Sequence, residues 1–373
     1  MGMVRFLLAL CVVVTHSPGS TIFGFTMMNG ITAVQCFYVI SGFLITMILN
    51  ERPEYQSLGN FYLSRYLRLW PVYILVAGLT LFFFQQPTFF SQLPALVNWP
   101  TYVWVLFSNL TILFQDWFVF LKFNNGSLSF TPAFEALTGP QPYWFELIPQ
   151  AWTLGIELTF YAIAPFVCRR WWGAVGLLLF GLCVRLVVGM YIPTNGAWLY
   201  RFAPSEMMMF GAGAVAYFVG TIVCPRLPRT TVALGSIAIL CFIYLSFCDD
   251  SALNPMFEGL SGGGTSYKLK LVNYPVLLLL ACTVPALFYV TRNIRLDRML
   301  GEMSYPIYIS HIFVFSLINT YLPASWQKGN ALYVLSVIIV SCGMVIFITA
   351  PIDRYRRHLS SPAPLVLGTK VPA

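Results

Sequence analysis

Long apolar runs, broken only by short polar punctuation, recur from one end of this chain to the other and leave no stretch in which a soluble domain of ordinary size could fold. They lie at about 3 to 17, 30 to 50, 63 to 85, 151 to 168, 172 to 190, 205 to 223, 230 to 247, 272 to 290, 303 to 322 and 331 to 350. A backbone crossing hydrocarbon must satisfy its own hydrogen bonds, and runs of this length do so as helices. Only 9% of the 373 residues are charged, against roughly 25% in soluble domains. The expected fold is therefore all-α, a polytopic membrane protein with about ten transmembrane helices. Residues 1–353 would form one membrane domain and 354–373 a tail.

An eleventh apolar stretch, 101 to 121 (TYVWVLFSNLTILFQDWFVFL), is resolved by charge rather than hydropathy. If the ten runs cross and this one does not, one side of the membrane holds Arg5, the Arg52, Arg65 and Arg68 group, Arg169 and Arg170, Arg226 and Arg229, and Arg292, Arg295 and Arg298. The same side holds Arg354, Arg356, Arg357 and Lys370, while the other has only Lys122, Arg201, Lys268, Lys270 and Lys328. This roughly threefold bias is what the positive-inside rule expects of a chain with both termini cytoplasmic. A crossing at 101 to 121 would invert every later cluster, so that stretch is read as re-entrant or interfacial. Residues 86 to 150 then form the largest extracytoplasmic segment, whose many aromatic rings suit a membrane interface or a sugar surface.

Several chemistries are disfavoured. The net charge of +8 is scattered in twos and threes between apolar runs, which fits topology and argues against nucleic acid. The nine cysteines form no CxxC pair, and no histidine or carboxylate stands at metal-ligand spacing, so no metal site is expected. The Gly-rich centre of the second outer loop, CDDSALNPMFEGLSGGGTSYKLK, lacks the spacing of a phosphate cradle and reads as a linker. Ser41 has no nucleophile-elbow context, and beside Gly42 it suits close helix packing.

An ionisable residue at bilayer depth costs about 2.5 to 3.5 kcal/mol on insertion scales, so each one raises a functional question. Here they are His16, Glu157, Arg185, Glu206 and His311. His16 closes the first run, RFLLALCVVVTH, eleven residues and about 16 Å of helix beyond Arg5. The run has the basic and apolar regions of a secretion signal, but T-H-S-P-G-S offers no A-x-A-like cleavage site, and its removal would break the parity of the basic loops. Glu157 enters its span from the outer side, the half expected to hold His16, where a carboxylate would orient an imidazole; the alternative is a structural carboxylate bonded to a Trp, a Tyr or an arginine such as Arg185. Glu206 and Arg185 read as structural, pairing with each other or with Arg201.

In order along the chain, Arg5 to His16 (R-x10-H), FYVISGF (37–43), YLSRYLRLWPVY (62–73), WTLGIELTFYAIAP (152–165) and LGEMSYPIYISH (300–311) resemble the motifs of the acyltransferase-3 family. These are multi-pass membrane enzymes of the inner (plasma) membrane that modify surface glycans and some small molecules. Ser64 stands where the third motif has its first arginine, and Thr153 where the fourth has serine. The resemblance implies acyl-CoA, usually acetyl-CoA, as co-substrate and a glycan or glycolipid hydroxyl as acceptor, with membrane lipids around the bundle. It implies His16 as the essential histidine, Glu157 as a site carboxylate and Arg5, Arg65 and Arg68 near the donor; His16 and Glu157 are the catalytic candidates, and Ser41, Trp152, Tyr161 and His311 are the candidates for the substrate side. His16 would act as a general base on the acceptor hydroxyl or as an acyl carrier, with Glu157 setting its tautomer. A transporter, flippase or polymerase of lipid-linked sugars is the alternative, and it leaves the R-x10-H and WxxxxE pairing without a purpose.

Overall fold

A computed structural model describes residues 1–18, 21–22, 25–132, 137–192, 196–248, 273–323 and 330–359. The Gly-rich loop and the end of the tail lie outside these residues. Every one of the ten apolar runs is a helix, and the described chain has almost no sheet. In chain order the elements are α1 (Gly2–His16), the two-residue strands β1 (Thr21–Ile22) and β2 (Phe25–Thr26), α2 (Gly30–Glu51), α3 (Leu58–Thr80), α4 (Leu93–Leu96) and α5 (Trp99–Thr111). A hairpin of β3 (Leu121–Asn124) and β4 (Ser127–Phe130) follows. The rest is α6 (Trp152–Val167), α7 (Trp171–Tyr191), α8 (Gly196–Tyr200), α9 (Ala203–Val223), α10 (Arg229–Cys248), α11 (Asn273–Thr291), α12 (Arg295–Tyr321), α13 (Asn330–Met344) and α14 (Ala350–Leu359). Among the described residues five helical stretches are long and apolar enough to cross a membrane: Gly30–Glu51, Leu58–Gln85, Trp171–Tyr191, Gly196–Arg226 and Asn330–Arg356.

Local chemistry sets the helix ends. Ser17 turns extended at φ −79° and ψ 157° ahead of Pro18, as a residue before proline must, and so α1 stops at His16. Asn29 caps α2 by accepting from the Ile31 amide at 2.8 Å, and Asn98 caps α5 by accepting from the Thr101 amide at 3.1 Å. The 13 residues of α5 span about 20 Å, short of the roughly 30 Å hydrocarbon core, and the helix ends in a left-handed residue, Ile112 (φ 69°). An Asn125-Gly126 turn with both φ positive then closes the hairpin, and Asn98 ties back to it through the Gly126 carbonyl at 2.8 Å.

The helices around the site are drawn together by small residues. A Cβ on Gly213 of α9 would lie 1.9 Å from the Val39 carbonyl oxygen of α2, and one on Gly42 would lie 2.1 Å from that of Phe210. No side chain fits at that separation, so α2 and α9 pack backbone to backbone. Gly2 of α1 has the same relation to Asp297 of α12, whose carboxylate accepts from the Gly2 and Met3 amides at 2.8 and 2.9 Å. Of the pairings open to them, Arg185 and Glu206 form the one with each other at 2.9 Å, fully sheltered between α7 and α9, with Gln35 donating to the same carboxylate oxygen at 3.0 Å. These contacts join α2 to α9 and α1 to α12 at close backbone distance.

Candidate active site

His16 is the last residue of α1 and its side chain is exposed. Its Nδ1 lies 2.9 Å from the Val12 carbonyl oxygen one turn earlier. A carbonyl can only accept, so Nδ1 carries the proton and Nε2 of the neutral ring keeps its lone pair. Directly against it stands His311 of α12, with ring centroids 5.1 Å apart and planes tilted by 50°. His311 is fully buried; its Nδ1 donates to the Tyr308 carbonyl at 2.6 Å, and its Nε2 has no partner. Two imidazoles in the same tautomer thus lie side by side, the outer one open and the inner one enclosed.

Glu157 is elsewhere. The expectation that it orients His16 is corrected here: the Val12 carbonyl does that, and Glu157 instead accepts from the Ser41 hydroxyl at 3.0 Å and from the Tyr161 hydroxyl. Ser41 accordingly serves this carboxylate, while Gly42 beside it does the close packing. Five residues into α6, Glu157 faces the centre of the bundle, where it lines a small cavity of about 60 Å³ with Arg5, Tyr38, Ser41, Arg68, Thr153, Tyr305 and Tyr308. The cavity has a basic end at Arg5 and Arg68, and Glu157 is the carboxylate in its wall. Toward the histidine pair its wall is Tyr308, whose hydroxyl meets that of Thr153 at 2.9 Å, so the hydroxyl of the motif's serine is retained.

At the basic end, Arg65 is buried, with its Cζ 5.6 Å from the centre of the Tyr55 ring and Nη2 3.2 Å from the Ser64 hydroxyl. Arg68 lies close enough to repel both Arg5 and Arg65. Trp152 does not line the cavity: Arg201 sits 4.9 Å from the centre of its ring and Tyr200 packs edge-on at 4.8 Å, leaving it 5% exposed. Gln150 just before it donates to the Ile309 carbonyl at 2.8 Å and so fastens the start of α6 to the helix that carries His311.

Two carboxyls that sequence reasoning did not single out are enclosed in the segment before α6. Burial pushes the Asp116 carboxyl up to about 7, and the Glu146 carboxyl well above the usual range despite the opposing pull of Arg201. Asp116 presses on Gly155, where a Cβ would come within 2.7 Å of its Oδ1. A polar residue in an aromatic-rich loop gives no sign in sequence that it is buried.

The helical bundle thus holds a small cavity with two arginines in its lining and, beyond its Tyr308 wall, a histidine pair: groups suited to an anion on one side and a basic nitrogen on the other. The acyltransferase domain family model (Acyl_transf_3) matches residues 1–350, and the chain belongs to that family. It is 27% identical over 310 residues to the exopolysaccharide production protein ExoZ of Rhizobium meliloti, covering 81% of each chain. It is 26% identical over 362 residues to the peptidoglycan O-acetyltransferase OatA of Listeria monocytogenes, covering 87% of this chain and 52% of that protein. To the acyltransferase MdmB of Streptomyces mycarofaciens it is 23% identical over 356 residues, covering 85% of this chain and 79% of that protein. No solved structure gives a significant match.

Proposed function

We propose that this protein is a multi-pass O-acyltransferase of the inner (plasma) membrane. It moves an acyl group, acetyl in our reading, from cytoplasmic acyl-CoA to a hydroxyl of an extracytoplasmic or lipid-linked glycan. The observation that carries this reading is the cavity that begins at Arg5 and Arg68 and is walled by Tyr308, whose carbonyl holds the imidazole lying against His16. Membrane acyltransferase chemistry needs such a path, because donor and acceptor approach from opposite faces.

In this mechanism the guanidinium groups of Arg5, Arg65 and Arg68 receive the phosphates of CoA, a task their planar donor forks suit. The acyl arm extends from there toward His16, which lies roughly 16 Å of helix beyond Arg5. Nε2 of His16 takes the proton of the acceptor hydroxyl as the oxygen attacks the thioester carbonyl carbon. A C–O bond forms, the C–S bond breaks, and the departing CoA sulfur takes the proton from the imidazolium. Glu157, held by Ser41 and Tyr161, faces Arg5 and keeps that cation in place. A positioned base of this kind contributes about 10² to 10⁴ in rate.

Purified protein given radiolabelled acetyl-CoA should release CoA and label an added surface polysaccharide. A transporter or flippase would do neither, and that outcome would overturn the proposal.

A further inference from the structure

The third motif of the chain lacks its first arginine, with Ser64 in that place, yet the space is not without a guanidinium. The last described helix, α14, folds back against α3, and Arg356 approaches the Ser64 hydroxyl with Nε at 3.4 Å and Nη2 at 3.2 Å. On its other side the same hydroxyl receives Arg65 Nη2 at 3.2 Å and lies 3.1 Å from the Tyr55 hydroxyl. One neutral oxygen therefore gathers two guanidinium groups from opposite ends of the sequence. Arg68 repels both of them, Asp353 forms an ion pair with Arg356, and no carboxylate bonds Arg65 or Arg68 among the described residues. Arg65 Nε is buried with no partner among the described residues. Like charges are brought together in this way, with buried donors left over, where a multiply charged anion completes the site.

We infer that Arg356 supplies the guanidinium missing at position 64, so that the C-terminal helix forms part of the phosphate-binding site for the acyl donor. The inference rests on the reading of the protein as an acyl-CoA-dependent enzyme and adds a residue that reads as a solvated tail charge in sequence. Ser64 is the pivot: its short side chain leaves the space that Arg356 fills, and its hydroxyl holds the incoming fork. A serine at 64 and an arginine at 356 are thus two halves of one solution.

The test is binding of CoA by calorimetry to the purified full chain in detergent, with wild type, R356A, R356K and the double variant S64R/R356A. Loss of one charge-assisted contact to phosphate predicts about tenfold weaker binding or more for R356A. R356K keeps the charge without the fork and should lie between. S64R/R356A should return to near the wild-type affinity, because the new arginine occupies the vacated space. Melting temperature reports folding for each variant, and R356K carries the test if R356A is unstable. Equal CoA affinity in wild type, R356A and R356K, or failure of S64R to rescue a folded R356A, would overturn the inference while leaving the donor reading intact. Absence of CoA binding by the wild type would instead remove the donor reading itself.

Discussion

Replacing His16 with alanine separates chemistry from folding better than any other single change at this site. The side chain is exposed, and its one hydrogen bond among the described residues runs to Val12 of its own helix. A bond of that kind contributes about 0.5 to 1.5 kcal/mol, so the variant should fold and insert at near wild-type levels. If Nε2 is the general base, its removal costs about 10² to 10⁴ in turnover, or about 2.7 to 5.4 kcal/mol of barrier at 1.36 kcal/mol per decade. The predicted catalytic loss thus exceeds the predicted structural loss several-fold. The assay is incorporation of label from acetyl-CoA into surface glycan by isolated membranes, normalised to the amount of full-length protein. Activity within tenfold of wild type at equal protein would refute the assignment of His16 as base. A loss matched by disappearance of the protein from the membrane would refute the claim that the residue is structurally dispensable.

Two further outcomes follow from the same geometry. Glu157→Gln should raise the KM for acyl-CoA while leaving the pH profile of kcat unchanged, because the carboxylate faces Arg5 and Ser41 and the His16 tautomer is set by Val12; a shifted profile with unchanged KM would restore the orienting role. Asp116 bears on stability instead. Its folded-state pKa, about 7, stands above the ordinary carboxyl range, so the folded protein holds a proton that the unfolded chain gives up from about pH 4. Stability should therefore fall as pH rises from about 4 to 7, with Asp116 contributing up to about 1.4 kcal/mol per unit, and Asp116→Asn should reduce that slope, the buried Glu146 carboxyl keeping a share of the same sign; equal pH dependence of melting in both proteins would contradict it.

The helices were legible because hydropathy is a local property: each run from 3–17 to 331–350 reads as a helix from its own residues, and each is one. The non-crossing character expected of 101–121 fits a 13-residue α5 followed by a hairpin, although the Asn125-Gly126 turn that makes the hairpin was not used. The site was legible as a set of expensive residues but not as a set of pairs. His16 and His311 meet across 295 positions of sequence, and nothing in either segment encodes which polar partner the other will be. For the same reason the sequence left Glu157 between His16 and a Trp, Tyr or Arg partner, and the structure gives it Tyr161 and Ser41: depth in the membrane can be estimated from residue counts, whereas the facing direction depends on how α2, α6 and α12 pack. Arg356 was invisible because a basic residue after the last apolar run looks like a solvated tail until the helix carrying it is seen to turn back onto Ser64.

The central claim is that donor and acceptor reach one reaction centre from opposite faces, the donor entering at Arg5, Arg65 and Arg68 and the acceptor meeting His16. It is tested most directly in proteoliposomes of defined orientation, with labelled acetyl-CoA confined to one side and the glycan acceptor to the other. The account predicts labelled glycan only when the donor is on the arginine side and the acceptor on the histidine side. Transfer only when both are supplied on the same side, or with the donor on the histidine side, would contradict it.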